Sequence, residues 1–440
     1  MTVARQAAPT VAFIDEYCTC YEDVFPDVRS FEHFKYIHLG LLSEIKRKTL
    51  PAIAKICGEV DAQALHHFVA NGLWDVQEVR SRRLQLLRQA LAGRSFALCI
   101  DETGDKKKGK TTEYAASQYI GNLGKIENGI VSVNAYGVLD QITFPLLFRV
   151  FKPDKRLKGE DQYKTKPELA VEIIEELQAW GFQFDVVLAD SLYGESTQFV
   201  RELEKRHLTY VLAIRDNHGM WLPPGQRIRY TTWLPFERTF SNGKSQTRFI
   251  REVIYGQRLS VRFYLLTTDP KTMPTQSTSY VMTNLQGNLR KTLGDTYGLR
   301  TWIEYGFKQA KNELGWADYR VTDYTSIERW WELVCCAYLL VSLYSPVFHH
   351  QTCEWLEPLP QASAQAPAPE AASDRFSGHV WWDSRQGWKN LLNNLRLILQ
   401  PYVFYSLISP WLMVFDIPDL HSGFAALVSI MNDFHASLPF

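Results

Sequence analysis

Paired cysteines, a basic surplus and a membrane-length apolar run are all missing from this 440-residue chain. The seven cysteines, at 18, 20, 57, 99, 335, 336 and 353, are odd in number and include no C-x-x-C spacing. That argues against a disulfide framework and against a zinc site, and leaves reduced thiols in packing roles. Lys plus Arg and Asp plus Glu both total 48, so the formal charge is zero. A blanket of basic charge is thereby excluded; a local basic face is not, because net charge is silent about distribution. The longest apolar run, Leu333 to Leu343, is interrupted by Ser342 and falls short of the roughly 20 residues that span a bilayer. The opening MTVARQAAPT lacks the apolar region of a signal peptide. The expected location is cytoplasmic, with no membrane partner. No G-x-S-x-G elbow, Walker loop or H-E-x-x-H helix is present, which removes three common hydrolase chemistries.

What is there is globular: 46% hydrophobic and 22% charged. At about 150 residues per domain, the length suggests about three domains or one large domain with insertions. Residues 1–93 read as helical. Leu65, Phe68, Val69, Leu73 and Val76 form a rough stripe, and Arg80, Arg82, Arg83 and Arg88 decorate a later helix. Those arginines fit a solvated face or a small helical DNA-binding module.

At Phe96 the pattern changes. Phe96 to Ile100 is continuously apolar and ends in Asp101, as a buried strand closed by a carboxylate would. Strands are expected at 113–123 and 130–139, with Asn128-Gly129 as the hairpin turn between them. A helix opening at Pro167 and stopped by Gly181 follows. Val186 to Ala189 then forms a second buried apolar strand, again ending in a carboxylate, Asp190. A helix at 197–207 and a strand at 209–214 complete a mixed α/β sheet. Residues 220–285 interrupt this order as short strands, including 248–255 and 259–267, with Asn242-Gly243 as a second turn. From Arg227 to Arg262 they carry eight basic residues against two acidic ones, interleaved with Tyr230, Trp233 and Tyr255. Arg248 and Arg251 are candidates there for nucleic-acid contact. Helices are expected at 295–314 and 326–345, a Pro/Ala-rich linker at 351–378, and a helical tail at 379–440.

One helix carries an unusual polar stripe. With Glu304 at zero, Tyr297 lies at about +20°, Arg300 at about −40°, Lys308 at about +40° and Lys311 at about −20°. Leu299, Ile303, Phe307, Ala310 and Leu314 form an adjoining apolar face. Taken alone, the stripe fits solvent-facing ion pairs such as Glu304 with Lys308. It does not account for two aspartates ending otherwise apolar strands. Neighbouring carboxylates repel unless a cation lies between them. Hard divalent ions bind oxygen ligands, and two of them about 4 Å apart can drive an in-line phosphodiester displacement.

Asp101, Asp190 and Glu304 resemble the DDE triad of RNase H-like transposases. The spacing Tyr297-x2-Arg300-x3-Glu304-x6-Lys311 matches the YREK signature of cut-and-paste bacterial insertion sequences. Asp101-Glu102-Thr103-Gly104-Asp105-Lys106-Lys107-Lys108-Gly109 and Ala189-Asp190-Ser191-Leu192-Tyr193-Gly194 resemble the first and second acidic motifs of that group. Trp381-Trp382-Asp383 and Gly387-Trp388-Lys389-Asn390 resemble its tail motif. The resemblance is strongest to the insertion sequence 701 family. It implies an RNase H-like mixed-sheet core with Asp101 on the first strand, Asp190 on the fourth and Glu304 on a later helix. It also implies a β-rich basic insertion on the DNA-handling surface, and helical N-terminal and C-terminal regions. The expected divisions are 1–93 (DNA-binding), 94–219 and 286–350 (core), 220–285 (insertion), 351–378 (linker) and 379–440 (tail). The family's three acids hold Mg²⁺, with Mn²⁺ as substitute. Tyr297, Arg300 and Lys311 position phosphates of transposon ends, with Lys308 added from the stripe, and a homodimer on double-stranded DNA is expected.

Two other readings stay open at this point. One is a DNA-binding protein of this fold that no longer cuts. The other is a two-carboxylate hydrolase such as a glycosidase. His66-His67 and His349-His350 are set aside, because helix neighbours about 100° apart rarely share a metal. Glu102 is expected on the strand face opposite Asp101, and Asp105 in a loop with a structural role. Lys106 to Lys108 fit phosphate contact and a solvated loop equally.

Overall fold

The computed structural model describes residues 5–58, 60–109, 111–219, 222, 224–240, 244–257, 259–349, 375–385, 387–435 and 438–439. Two compact units divide the chain: Met1–Ala92 with Lys308–Phe440, and Gly93–Phe307.

The second unit is built on one eleven-stranded mixed sheet. Its strands are β1 (Phe96–Lys106), β2 (Ala116–Ile120), β3 (Lys125–Leu139), β4 (Ile142–Val150), β5 (Phe184–Ala189), β6 (Tyr210–Ile214), β7 (Ile228–Tyr230), β8 (Leu234–Thr239), β9 (Ser245–Tyr255), β10 (Arg262–Thr267) and β11 (Ser279–Thr283). The main path runs β2-β3-β1-β5-β6-β11-β10-β9-β7, with β4 on β3 and β8 on β9. β1, β5 and β6 are parallel neighbours; β1 meets β3 antiparallel. Continuous apolar runs form the parallel strands because both of their faces are covered. The helix Lys166–Ala179 makes the crossover from β4 to β5. Thr165 and Glu168 close its first turn reciprocally in a capping box.

Several details differ from the sequence reading. β1 does not stop at Asp101 but continues to Lys106, which places Asp105 in the strand and buries it. The β2–β3 hairpin exists, but its turn is Gly121–Gly124, with Gly124 at φ +64°. Asn128 and Gly129 lie inside β3, paired with Ser117 and Ala116. Gly129 is required there by close approach, since a Cβ would stand 2.5 Å from the Asp105 carbonyl oxygen. β4 escaped notice, so Asp190 follows the fifth strand in chain order rather than the fourth. The insertion does not stand apart from the core: β11 pairs with β6 and carries the sheet onward. The second expected turn, Asn242-Gly243, lies outside the described residues, as do Arg258 and most of the 351–378 linker.

The first unit is helical. The helix Tyr324–Leu343 runs through its centre, buried over most of its length. Trp331 stacks on Trp316 with ring centres 4.7 Å apart. No disulfide joins any of the six described cysteines. Of the expected N-terminal stripe, Leu65, Phe68 and Val69 are buried on the helix Ala62–Asn71. Leu73 lies past the Gly72 cap and is 90% exposed. The arginines of the helix Val76–Leu91 divide. Arg80 and Arg83 are buried and share Glu332, with Arg80 Nε donating to Oε2 at 3.0 Å and Arg83 to Oε1. Arg80 also reaches Glu328 at 2.8 Å. Neither can belong to an exposed DNA face.

Burial alone would push the Glu332 carboxyl up, but Arg83 and Arg80 outweigh it and hold the carboxyl below its ordinary value. Glu332→Gln is expected to destabilise the chain by ~3–5 kcal/mol in urea titration, because two buried cations lose their counter-charge. A depressed carboxylate stabilises the fold above its unfolded pKa of about 4.3 and loses that contribution as pH falls through the folded value. The wild-type advantage over Glu332→Gln should therefore shrink below pH ~4.

Candidate active site

The β1–β5 register sets the site. Ile100 is the last β1 residue opposite β5, and its partner is Ala189. The next residue on each chain is an aspartate, so Asp101 and Asp190 emerge side by side. Asp190 leaves the sheet as the N-cap of the short turn Ser191–Gly194, its Oδ1 accepting from the Leu192 N–H at 2.9 Å. That turn lies hard against β6. A Cβ on Gly194 would stand 1.9 Å from the Ala213 carbonyl oxygen, so only glycine fits where the motif has it.

The third carboxylate comes from the helix Thr301–Asn312. The helix Leu293–Gly298 precedes it, and the stretch between them closes with i→i+3 bonds such as Arg300 N–H to Tyr297 O at 3.1 Å. One uninterrupted wheel therefore describes Arg300 onward better than Tyr297. The Glu304 helix approaches β3 closely: Gly306 lies against the Tyr136 ring, and Phe307 meets that ring edge-on at 5.7 Å. Ile303 is fully buried, so the start of the expected apolar face, Ile303 to Phe307, packs inward with Phe307 on the sheet.

Arg300 ties the pieces together. One guanidinium nitrogen donates to Asp101 Oδ2 at 3.3 Å and the other to Glu304 Oε1 at 3.3 Å. The Arg300 and Asp101 side chains are 18% and 15% exposed, whereas Glu304 is 48% exposed. Burial drives the Asp101 carboxyl up to about 8; Asp190 and Glu102 push the same way, and Arg300 opposes them. Burial would lower the Arg300 guanidinium, but Tyr297, Asp101, Glu304 and Asp190 outweigh it and hold its charge firmly.

Asp190, Tyr297 and Arg300 line one open cleft of ≈ 530 Å³, whose far side is Met273, Thr275, Thr278, Ser279 and Tyr280. Glu102 accepts from Lys166 Nζ at 3.0 Å and from the Tyr193 hydroxyl at 3.4 Å. Burial pushes the Tyr193 phenol up, and Glu102, Asp101 and Asp190 add to it. Among the described residues, no three His, Cys, Asp or Glu side chains stand close enough to hold a metal ion. The donor chemistry nonetheless suits one. Asp101 and Asp190 are adjacent oxygen donors; burial disfavours the charge of Asp101 unless a cation is near, and Arg300 supplies that cation here.

The other sequence candidates fall farther out. Lys308 and Lys311 continue along the Glu304 helix, Lys308 exposed and Lys311 half-buried. Arg251 on β9 lies between the Tyr230 and Trp233 rings, 4.4 Å from each, and touches Met273 of the cleft at 3.9 Å. Arg248 lies over the Phe240 ring at 5.7 Å. One nearby cation was not singled out. Arg238, on β8, lies over the same Phe240 ring at 4.9 Å and donates to Thr301 Oγ1 at 3.4 Å, beside the start of the Glu304 helix. Only its count among the basic residues of the insertion hinted at it.

Comparison with known proteins shows the family of the chain. A model described as "DDE superfamily endonuclease" matches residues 20–233, and one described as "Transposase DDE domain" matches residues 160–340. A relative from Microchaete diplosiphon, "Probable transposase for insertion sequence element IS701", is 54% identical over 329 residues, 74% of this chain and 87% of its own length. Among solved structures, a piggyBac transposase synaptic complex with hairpin DNA overlays with a TM-score of 0.42 at 9% identity, covering 96% of this chain and 81% of that one; the assignment does not rest on that overlay. With the matching relative covered over most of its length, the chain belongs to the DDE transposases of the insertion sequence 701 kind and acts on DNA as a transposase.

Proposed function

We propose that Asp101, Asp190 and Glu304 are the catalytic acids and that they hold two divalent ions, Mg²⁺ with Mn²⁺ as substitute. The observation that carries this reading is Arg300, which ion-pairs with both Asp101 and Glu304 at the rim of the cleft that Asp190 lines. A carboxylate from a strand and one from a helix share this cation, and Asp190 acts on it electrostatically. When bound, the ions would activate a water and stabilise the leaving oxygen of an in-line displacement. The chain's own residues do the rest. The β1–β5 pairing holds Asp101 beside Asp190 before substrate arrives, and Glu304, on a helix packed against Tyr136, would close on them as the ions bind.

Water first cuts a phosphodiester at the element end, and the freed 3′-hydroxyl then attacks target DNA. Arg300, charged under all relevant conditions, turns from carboxylate to phosphate as the ions and DNA enter; Tyr297 lines the same cleft. Lys308 and Lys311 extend the grip along the helix. Arg248 and Arg251 extend it on the insertion, as part of a DNA-handling surface that reaches the cleft through Met273. The chain works as a homodimer on its two DNA ends, in the cytoplasm and on the nucleoid.

Asp101→Asn, Asp190→Asn and Glu304→Gln are each expected to lower nicking of labelled element ends in Mg²⁺ by ~1,000-fold or more. Gel-shift affinity for the same DNA should change little. Three variants that still nick would overturn the assignment, and a wild-type chain that shifts DNA without product in Mg²⁺ would make it a binder only. Arg300→Ala should lower the melting temperature in chelator, because Asp101 and Asp190 lose their cation, and millimolar Mg²⁺ should recover part of that loss. An equal loss with and without Mg²⁺ would separate Arg300 from the ion site.

A further inference from the structure

The sheet brings Asp101 and Asp190 side by side, but its β1–β5 ladder stops at Ile100 and Ala189, one residue short of both. Beyond that point the two segments part. β1 runs on to Lys106, paired with β3, while the other segment turns through Ser191–Gly194. The separation of the two carboxylates therefore depends on contacts made outside the ladder.

Those contacts lie behind Asp101. β1 keeps its register with β3 through both Asp101 and Glu102, so the two side chains leave opposite faces of the strand. Asp101 meets Arg300 on one face. On the other, Glu102 engages both of its oxygens, Oε1 with Lys166 Nζ and Oε2 with the Tyr193 hydroxyl. Tyr193 is fully buried, its ring centre 5.5 Å from that of Phe199. A hydroxyl in that setting needs a partner, and among the described residues Glu102 is the one it has.

Backbone bonds close the circuit. The Tyr193 and Gly194 N–H groups donate to the Asp190 carbonyl at 3.2 and 3.0 Å. The Glu102 N–H donates to Asp101 Oδ1 at 2.8 Å. A continuous chain of bonds thus runs from the Asp101 carboxylate through Glu102 and Tyr193 to the backbone of Asp190. A third carboxylate beside these two needs a counter-charge, and Lys166 provides it from the first turn of the crossover helix. Its side chain is 17% exposed and that of Glu102 13%, and its ammonium lies over the Phe151 ring at 5.8 Å.

We propose that Glu102, Tyr193 and Lys166 are positioning residues, which hold the Asp101 and Asp190 carboxylates at the separation that binds a divalent ion. The inference rests on the reading of those two aspartates as ion ligands. It gives the glutamate of the first acidic motif and the tyrosine of the second a task distinct from ligation and from DNA contact.

Mn²⁺ binding to the full chain, followed by the electron paramagnetic resonance of the free ion, reads this without turnover. Tyr193→Phe removes one oxygen and keeps the ring. It should weaken Mn²⁺ binding by ~10-fold or more, as loss of a group that orients a ligand does. The Mg²⁺ concentration for half-maximal nicking of element ends should rise by a similar factor, a loss that saturating Mg²⁺ largely recovers. Glu102→Ala should behave alike, and Glu102→Gln, which keeps an acceptor for Tyr193, should recover part of the affinity. Tyr193→Phe and Glu102→Gln preserve side-chain volume, so the test does not depend on Glu102→Ala folding. Wild-type Mn²⁺ affinity in Tyr193→Phe, with Asp101→Asn abolishing binding, would overturn the inference and leave the three residues as a brace for the fold alone. If Asp101→Asn binds Mn²⁺ as the wild type does, the ligand reading itself fails, and this inference with it.

Discussion

A carboxylate taken out of water beside a second carboxylate needs a positive charge, and much of the second unit is arranged around that need. Asp101 lies in a strand whose preceding five residues are all buried, and Asp190 emerges next to it from the parallel neighbour. Desolvation and mutual repulsion both favour the neutral acid. Arg300 meets the need from the turn just before the Glu304 helix, and the same guanidinium pairs with Glu304. The chain thus offsets the buried carboxylate with an internal cation.

The surrounding structure limits where these groups can move. Gly194 lets the Asp190 turn press on β6, and Gly306 lets the Glu304 helix press on β3. Both are close backbone approaches that a side chain would block. The cleft opens on the side where β11 extends the sheet, so the insertion forms a wall of the site through Met273, Thr275 and Thr278. Arg251, held between two aromatic rings, places a weakly hydrated cation at that wall with little entropy left to lose. The first unit is stabilised by a different device, a buried Arg–Glu–Arg cluster on facing helices, which is internal and leaves other cations for solvent.

Local signals carried the catalytic part of the reading. Two apolar runs each closed by aspartate, and a polar stripe at helical spacing, are visible because burial on both strand faces and a 3.6-residue period write themselves into sequence. Other signals misled for physical reasons. Asn128-Gly129 has turn chemistry, yet its glycine serves close packing inside a strand. Arg80 and Arg83 look like a solvated basic face, yet their counter-charge Glu332 lies some 250 positions away. β4 passed unnoticed because its run, ITFPLLFRV, contains a proline that ordinarily demotes a strand.

The sequence by itself determined the two core strands, the polar stripe and the motifs that carry the family resemblance, since each is set by residue type at short spacing. Only the tertiary structure decided that Asp101 and Asp190 lie in adjacent register, that Arg300 bridges Asp101 and Glu304, and that the insertion continues the core sheet. Those outcomes depend on pairing between segments far apart in the chain, and no local pattern records the partner.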